Sequence, residues 1–141
     1  VLHRNLKSQN LLVDEAGRVK ISDFGWARLL AQDSGRTFFA GWQWVAPEIL
    51  GGAHYSLQSD VYSFAMVAWE ALTQAIPFGG KNSVQVALAV LNQRLRPEIP
   101  DWCAPALAQL LADCWDDDAA RRPMFESVLE RLADAASARE S

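Results

Sequence analysis

The stretch HRNLKSQN, which occupies His3–Asn10, decides the fold of this chain, and a strand pattern begins directly after it. Two short apolar runs, Leu11–Val13 and Val19–Ile21, flank the polar segment DEAGR. Gly17 in that segment can adopt a positive φ, which a tight turn between two strands commonly requires. The pattern therefore predicts a β-hairpin that follows the loop HRNLKSQN without a break.

The composition indicates one globular domain with a substantial core. The chain has 141 residues, of which 50% are hydrophobic and 21% are charged, and its formal net charge is −4. No cluster of Lys and Arg stands out, so we expect no nucleic-acid partner. No apolar run approaches the roughly 18 residues that a membrane span needs, and no signal peptide is visible. The first residue is Val1 rather than Met, so we expect a sequence that begins inside a longer product.

The two cysteines, Cys103 and Cys114, lie 11 positions apart in the sequence. This spacing matches no common metal-binding pattern, and we interpret both side chains as reduced thiols. A disulfide between them is the less favoured alternative. Reduced thiols are typical of proteins in the cytosol, so the expected location is cytoplasmic.

Helical patterns dominate the chain from about Ser56 onward. The segment Asp60–Thr73 is apolar on nearly every side, which predicts a helix that is buried all round. A second helix is predicted over Ser83–Leu91, a third has Pro105 in its first turn, and a fourth starts at Pro123. The apolar stripes of these three helices comprise Val84, Ala87, Leu88 and Leu91; Leu107, Leu110, Leu111 and Cys114; and Phe125, Val128, Leu129 and Leu132.

Three motifs occur in order along the chain. The loop His3–Asn10 comes first, Asp23-Phe24-Gly25 follows the second predicted strand, and Ala46-Pro47-Glu48 lies downstream. The second motif lies in a long irregular stretch, Ser22–Trp44, and such stretches are commonly functional or disordered. Alone, the tripeptide DFG is more typical of a turn around a buried Phe than of a metal-binding loop. Together, the three motifs resemble the protein-kinase signature H-R-D-L-x-x-x-N, DFG and APE.

The resemblance extends from Val1 to about Ala135, and its finer match is to the tyrosine-kinase-like group of serine/threonine kinases. Lys7 in HRNLKSQN is similar to the serine/threonine pattern. SDVYSFAMVAWEALTQAIPF resembles the central buried helix of the C-terminal lobe, and CWDDDAARRPMFESVLERL resembles the end of the domain. The resemblance implies a mainly α fold: a C-terminal lobe with a small β-hairpin, an activation segment and then helices, and no N-terminal lobe. The expected organisation is a partial kinase domain at 1–135 and a flexible tail at 136–141.

The resemblance also implies a role for each matching residue. Lys7, Asn10 and Asp23 correspond to residues that contact the ATP phosphates or the bound Mg²⁺. Asp60 corresponds to the aspartate that accepts hydrogen bonds from the catalytic-loop backbone. The other matches are His3 and Phe24 in a packed column between the lobes, Gly25 in the DFG turn, Glu48 and Arg122 as a buried ion pair, and Arg4 as the partner of a phosphorylated activation segment. Thr37, ahead of Ser34, is the implied phosphorylation site in that segment.

Asn5 departs from the family at its most reactive position. There the family has an aspartate that accepts the proton of the substrate hydroxyl. An amide can orient a hydroxyl, but it is not a usable base near neutral pH. General-base catalysis contributes about 10²–10⁴-fold in rate, so we expect a severe loss of phosphotransfer. Positioning and electrostatics carry much of this reaction, so the expected activity is weak or absent.

A second departure precedes the APE motif, where the family pattern is roughly G-T-x-x-W/Y-M-A-P-E. In a count back from Glu48, Trp44 takes the aromatic position. Gly41 then takes the threonine position and Ala40 the glycine position. A one-residue slip instead places Gly41 on the family glycine and deletes the threonine. Either alignment removes the threonine hydroxyl that contacts the catalytic aspartate and lysine, and Ala65 in place of a common glycine is a milder change.

The parts that complete an ATP site in the family lie upstream of the catalytic loop, outside this sequence. They are the glycine-rich loop, the strand lysine, its helix glutamate partner and the hinge, together with two helices that precede the catalytic loop. Without these helices, we expect the apolar surface around Phe64 and Trp69 to be exposed. An isolated chain of this kind is expected to be marginally stable and prone to aggregation.

Two functions remain open at this point. In the first, the chain is part of a protein serine/threonine kinase that uses ATP and Mg²⁺, with activity impaired by Asn5 and by the missing N-terminal lobe. In the second, it is a catalytically inactive pseudokinase that acts as an interaction or regulatory module. The expected partners are a protein substrate or a regulated protein, and ATP where an N-terminal lobe exists.

Overall fold

The structure of the protein is a computed structural model that describes residues 1–22 and 41–140. Within these ranges the chain is mainly helical and contains one two-stranded antiparallel sheet, as the sequence predicts. The elements in chain order are β1 (Leu11–Val13), β2 (Val19–Ile21), α1 (Pro47–Leu50), α2 (Leu57–Thr73), α3 (Ser83–Gln93), α4 (Pro105–Cys114) and α5 (Phe125–Glu140), with 3₁₀ turns at Ser8–Asn10, Trp42–Trp44 and Ala119–Arg121.

The hairpin has the predicted boundaries, with Leu11 of β1 paired to Ile21 of β2. Gly17 in the connecting loop has φ +78°, in the left-handed region that favours glycine. The Asp14 carboxylate accepts a hydrogen bond from the backbone N–H of Arg18 at 2.9 Å, which closes the loop. This bond favours the ionised carboxylate and lowers the pKa of Asp14. The β-hairpin prediction is therefore confirmed.

Helix α2 lies at the centre of the fold. Ser56 and Ser59 form a capping box at its start, in which each side chain accepts the backbone N–H of the other residue. One side of α2 packs against α4 and against the Trp42–Trp44 turn. The main core cluster consists of Trp44, Ala46, Ile49, Val61, Tyr62, Ala65, Met66, Trp69, Leu110, Leu111, Cys114, Trp115 and Val128.

The opposite side of α2 is not closed, so the prediction of a helix buried all round is wrong for this face. Phe64 and Val67 are half-buried and line an apolar cavity of about 580 Å³. The hairpin contributes Leu11 and Ile21 to the same cavity. The predicted exposure of Trp69 is also wrong. The chain between α3 and α4 crosses over this side chain, whose indole N–H donates to the Glu98 carbonyl at 2.8 Å.

Helix α3 is present, but the stripe predicted from its sequence does not face the core. Val84 and Leu88 are 53% and 52% exposed. They border a groove of about 240 Å³ beside Trp42 and Leu50, so this apolar stripe lines a surface groove rather than the core. A second core cluster lies under the other side of α3 and consists of Trp42, Phe78, Val86 and Val90.

Helix α4 agrees with its predicted pattern. Pro105 occupies its first turn, where the missing N–H has no intrahelical partner to lose. Leu110, Leu111 and Cys114 are buried. Burial raises the pKa of the Cys114 thiol to about 12, so this thiol is protonated at neutral pH. Cys103 and Cys114 are both free, in agreement with their interpretation as thiols.

Helix α5 begins at Phe125, two positions later than the predicted start at Pro123. Val128 is buried, whereas Leu129, which belongs to the same apolar stripe of the sequence, is 72% exposed. The helix packs on α4, and this packing does not cover Leu129. Its backbone is helical to Glu140. The domain boundary at residue 135 stays a prediction. Within the described part of the chain, no helix has the length and apolar character needed to cross a membrane.

Candidate functional site

The loop His3–Asn10 is anchored to the start of helix α2 by one carboxylate. Asp60 Oδ2 accepts the backbone N–H of His3 at 2.8 Å, and Asp60 Oδ1 accepts that of Arg4 at 3.0 Å. Arg4 has φ +70°, which is uncommon for a residue with a side chain. The bond from its N–H to Asp60 holds this conformation. The contact that the sequence leads us to expect between Asp60 and the loop backbone is therefore present.

The buried His3 ring links the loop to the end of the hairpin. Its Nδ1 accepts the backbone N–H of Asn5 at 3.2 Å, and its Nε2 lies 2.7 Å from the Ser22 carbonyl oxygen. Since Nδ1 acts as an acceptor, the proton lies on Nε2, which donates to Ser22. His3 thus ties the backbone around Asn5 to the residue that directly precedes Asp23.

Asn10 strengthens the same connection and is itself buried. Its side-chain Nδ2 donates to the Asn5 carbonyl at 2.7 Å. Its backbone carbonyl accepts the N–H of Ser22 at 2.8 Å and the Ser22 hydroxyl at 3.1 Å. The bond to Asn5 fixes the orientation of the amide, so that Oδ1 points away from the Asn5 carbonyl. This oxygen is the atom that suits a hard cation such as Mg²⁺.

Several of the predicted site residues lie outside the described residues. They are Asp23, Phe24, Gly25, Ser34 and Thr37. Their assigned roles stay predictions. The structure describes Ser22, the residue that precedes Asp23, and Ser22 is hydrogen-bonded to both His3 and Asn10. Within residues 1–22 and 41–140, no three His, Cys, Asp or Glu side chains come together as a metal site.

Lys7 lies directly against Gly41, at the point where the chain returns to the loop. Gly41 has φ +85° and precedes the Trp42–Trp44 turn. A Cβ built on Gly41 would lie 3.1 Å from Lys7 Cδ and 3.2 Å from Lys7 Nζ. This contact is expected if Gly41 takes the family's threonine position, whereas its positive φ suits the family's glycine position, so both alignments stay open.

Glu48 and Arg122 form a bidentate ion pair, as the resemblance implies. Arg122 Nη1 donates to Glu48 Oε1 at 2.7 Å, and Nη2 donates to Oε2 at 2.8 Å. The Arg122 side chain has no exposed surface and also donates to the Asp116 and Gln58 carbonyls. Its guanidinium lies 5.1 Å from the ring centre of Tyr62. Burial raises the pKa of Tyr62 to about 12, so the phenol remains neutral beside this cation.

A bridge at Glu70 was not predicted from the sequence. Glu70 Oε2 accepts the Ser8 hydroxyl at 2.9 Å, and Oε1 accepts the indole N–H of Trp44 at 3.2 Å. The bridge joins the 3₁₀ turn of the loop to the segment before helix α1. The sequence contains one signal for it, since Glu70 ends the apolar run Phe64–Trp69 and a charge at such a position needs polar partners.

This arrangement of an anchored loop, a hairpin and a central helix belongs to a known class. The model of the protein tyrosine and serine/threonine kinase family matches residues 1–132, which is nearly the whole chain. The chain therefore belongs to the protein kinase family, and the resemblance inferred from its motifs is confirmed at that level.

Individual relatives agree with this assignment. The chain is 42% identical over 129 residues to the probable serine/threonine-protein kinase drkD of Dictyostelium discoideum, covering 92% of this chain and 10% of the relative. It is 41% identical over 133 residues to the serine/threonine/tyrosine-protein kinase HT1 of Arabidopsis thaliana, covering 94% and 34%. It is also 41% identical over 133 residues to the serine/threonine-protein kinase STY17 of the same plant, covering 94% and 23%. The chain thus spans between a tenth and a third of these relatives.

Proposed function

We propose that this chain is the C-terminal-lobe part of a serine/threonine protein kinase of the tyrosine-kinase-like type, with phosphotransfer impaired at Asn5. The family reaction transfers the γ-phosphate of ATP to a serine or threonine hydroxyl of a protein. The observation that carries the proposal is the anchored loop. Asp60, His3 and Asn10 hold together the backbone that presents Lys7, Asn5 and the residue before Asp23.

Three side chains are proposed to contact the nucleotide. Asn10 and Asp23 offer the oxygen ligands that Mg²⁺ prefers, and Mg²⁺ neutralises charge on the phosphates when ATP is bound. Lys7 offers a cation for the transferred phosphoryl group. A complete ATP site also requires an N-terminal lobe, so ATP binding is proposed for the whole protein rather than for residues 1–141 alone.

Asn5 can hold a substrate hydroxyl but cannot take its proton. Its backbone is tied on both sides, by the N–H bond to His3 and by the carbonyl bond from Asn10. The side chain at position 5 is therefore presented from a fixed backbone. The proposed defect is thus one of chemistry, because the geometry that a carboxylate would need at this position is retained.

A second candidate function is a pseudokinase, an interaction module without catalysis. The observation that favours it is the pair Asn5 and Gly41. Both ends of one family hydrogen-bond cluster are altered, while Lys7 still lies against Gly41. Activation-segment phosphorylation remains part of either proposal: Arg4 is exposed, and a phosphate on Thr37 or Ser34 is proposed to pair with it.

Substitution of Asn5→Asp in the full-length protein separates the two functions. If only the base is missing, phosphotransfer to a mixed serine and threonine peptide library rises by about 10²–10⁴-fold. Asn92→Asp is the matched control, since Asn92 is exposed on helix α3 and the same chemical change there leaves the rate unaltered. No gain at Asn5→Asp, with Mg²⁺–ATP binding intact, would overturn the impaired-kinase proposal in favour of the pseudokinase.

A further inference from the structure

The contact between Lys7 and Gly41 has a feature that the family pattern does not contain. The methylene chain and the ammonium of Lys7 both lie within van der Waals range of the position that a Cβ at residue 41 would occupy. A Cβ at 3.1–3.2 Å is closer than most Cβ contacts, so a side chain at position 41 would require Lys7 to shift by a few tenths of an ångström.

Within the described residues, the Lys7 side chain packs against Gly41 and makes no ion pair. Its backbone is fixed, because its carbonyl accepts the N–H of Asn10 at 3.0 Å at the start of the 3₁₀ turn. The position of the ammonium at the end of the flexible side chain then depends on the surface against which the side chain packs.

The backbone at Gly41 reinforces this dependence. Its φ of +85° lies in the left-handed region, where a β-branched residue such as threonine is a genuine outlier. A threonine at this position would therefore require a different backbone, as well as a different position of the Lys7 side chain. Position 41 in this protein is adapted to glycine.

We propose that Gly41 is a positioning residue for Lys7: the absence of a side chain at position 41 leaves a bare surface on which Lys7 lies, and this contact directs its ammonium. The phosphate-directed consequence rests on the proposed function, in which Lys7 contacts the transferred phosphoryl group. The packing itself does not. Gly41→Ala displaces the end of Lys7 by a few tenths of an ångström, since the flexible side chain gives way before the backbone does.

The test uses the full-length protein with Gly41→Ala and, as a matched control, Gly52→Ala. Gly52 has φ +95° and open space around its Cβ position, so the control carries the same backbone strain without the contact. The first measurement is the rate at which an amine-acylating reagent modifies Lys7, followed by peptide mass spectrometry. Lys20 and Lys81, which are both exposed, serve as internal references. The Lys7 rate should rise in Gly41→Ala and stay constant in Gly52→Ala. An unchanged rate in both would overturn the proposal.

The second measurement is the ratio of the dissociation constants for Mg²⁺–ADP and Mg²⁺–ATP. A displaced Lys7 weakens ATP binding selectively, by up to about tenfold in this ratio, because ADP lacks the group that the ammonium contacts. A defect in folding alone weakens both nucleotides equally, and that result would overturn the phosphate-directed part. If the unsubstituted protein binds neither nucleotide, the proposed function is wrong. The acylation rates then still test whether Gly41 positions Lys7.

A double substitution covers the case in which Gly41→Ala does not fold. Lys7→Ala removes the side chain that the new Cβ would meet, so Lys7→Ala/Gly41→Ala should fold as well as Gly52→Ala. Recovery of folding in the double variant supports the contact. Failure of the double variant would assign the whole effect to the backbone at Gly41 and overturn the proposal.

Discussion

Two regions of this molecule differ in how completely their polar groups are paired. Around Asp60, Glu48 and Arg122, each carboxylate oxygen and each guanidinium nitrogen meets a partner at 2.7–3.0 Å. Around Asn5 and Gly41, the charge of the base and the hydroxyl of the threonine are both gone. The first region maintains the fold, and the second is the region proposed to perform the chemistry. The architecture of a kinase lobe can therefore persist when its proposed reactive positions change. The reason is that the side chains that stabilise the fold are not the side chains at those positions.

The largest expected effect tests the paired region. Arg122→Met leaves Glu48 without its guanidinium and frees the Asp116 and Gln58 carbonyls, so the free energy of unfolding should fall by about 3–5 kcal/mol. Denaturant unfolding of the full-length protein measures this. Arg131→Met is the control, since the Arg131–Asp113 pair is about one third exposed and should contribute about 0–1 kcal/mol. Equal losses in the two variants would contradict a structural role for the buried pair.

A smaller loss is expected at the anchor of the loop. Asp60→Asn keeps one acceptor oxygen, but the new amide nitrogen faces either the His3 or the Arg4 N–H and leaves it unpaired. The cost should be about 1–3 kcal/mol. Because the anchor positions the loop, faster hydrogen exchange at the His3 and Arg4 amides should accompany it. Protected amides in Asp60→Asn would show that another group holds the loop.

The Glu70 bridge should contribute less, because it is only partly buried. Ser8→Ala removes one of its two donors and should cost about 0.5–1.5 kcal/mol in thermal or denaturant unfolding. Ser83→Ala tests the same substitution on the first residue of α3, where no hydroxyl bridge to another segment is found among the described residues. A Ser8→Ala effect no larger than that of Ser83→Ala would show that the bridge does not stabilise the folded protein.

The smallest expected effect belongs to the reactive region itself. Asn5→Asp should change the free energy of unfolding by no more than about 0.5 kcal/mol, since the bonds that hold residue 5 come from its backbone. The same variant is expected to have the large rate effect described above. A stability change of more than 1–2 kcal/mol would show that the two regions are coupled, and the comparison between them would fail.

Much of the fold follows from local sequence patterns. The hairpin boundaries are correct because Leu11–Val13, Val19–Ile21 and Gly17 act through short-range pairing and turn chemistry. Helix α4 is correct for a similar reason, since Pro105 and its apolar stripe favour one local structure. Patterns that depend on distant neighbours were less informative. Leu88 and Leu129 fit apolar stripes but are exposed, because a periodic pattern does not reveal whether another element covers it.

The candidate site divides in the same way. The sequence by itself determined which residue types are present: the loop HRNLKSQN with Asn5 in place of an acid, the pair Glu48 and Arg122, and the order of the motifs. The tertiary structure decided the bridge at Glu70, the contact of Lys7 with Gly41 and the burial of Trp69. The physical reason is that residue identity is local, whereas these contacts join segments that are tens of residues apart in the chain. Only the folded backbone brings such segments within hydrogen-bonding or packing distance.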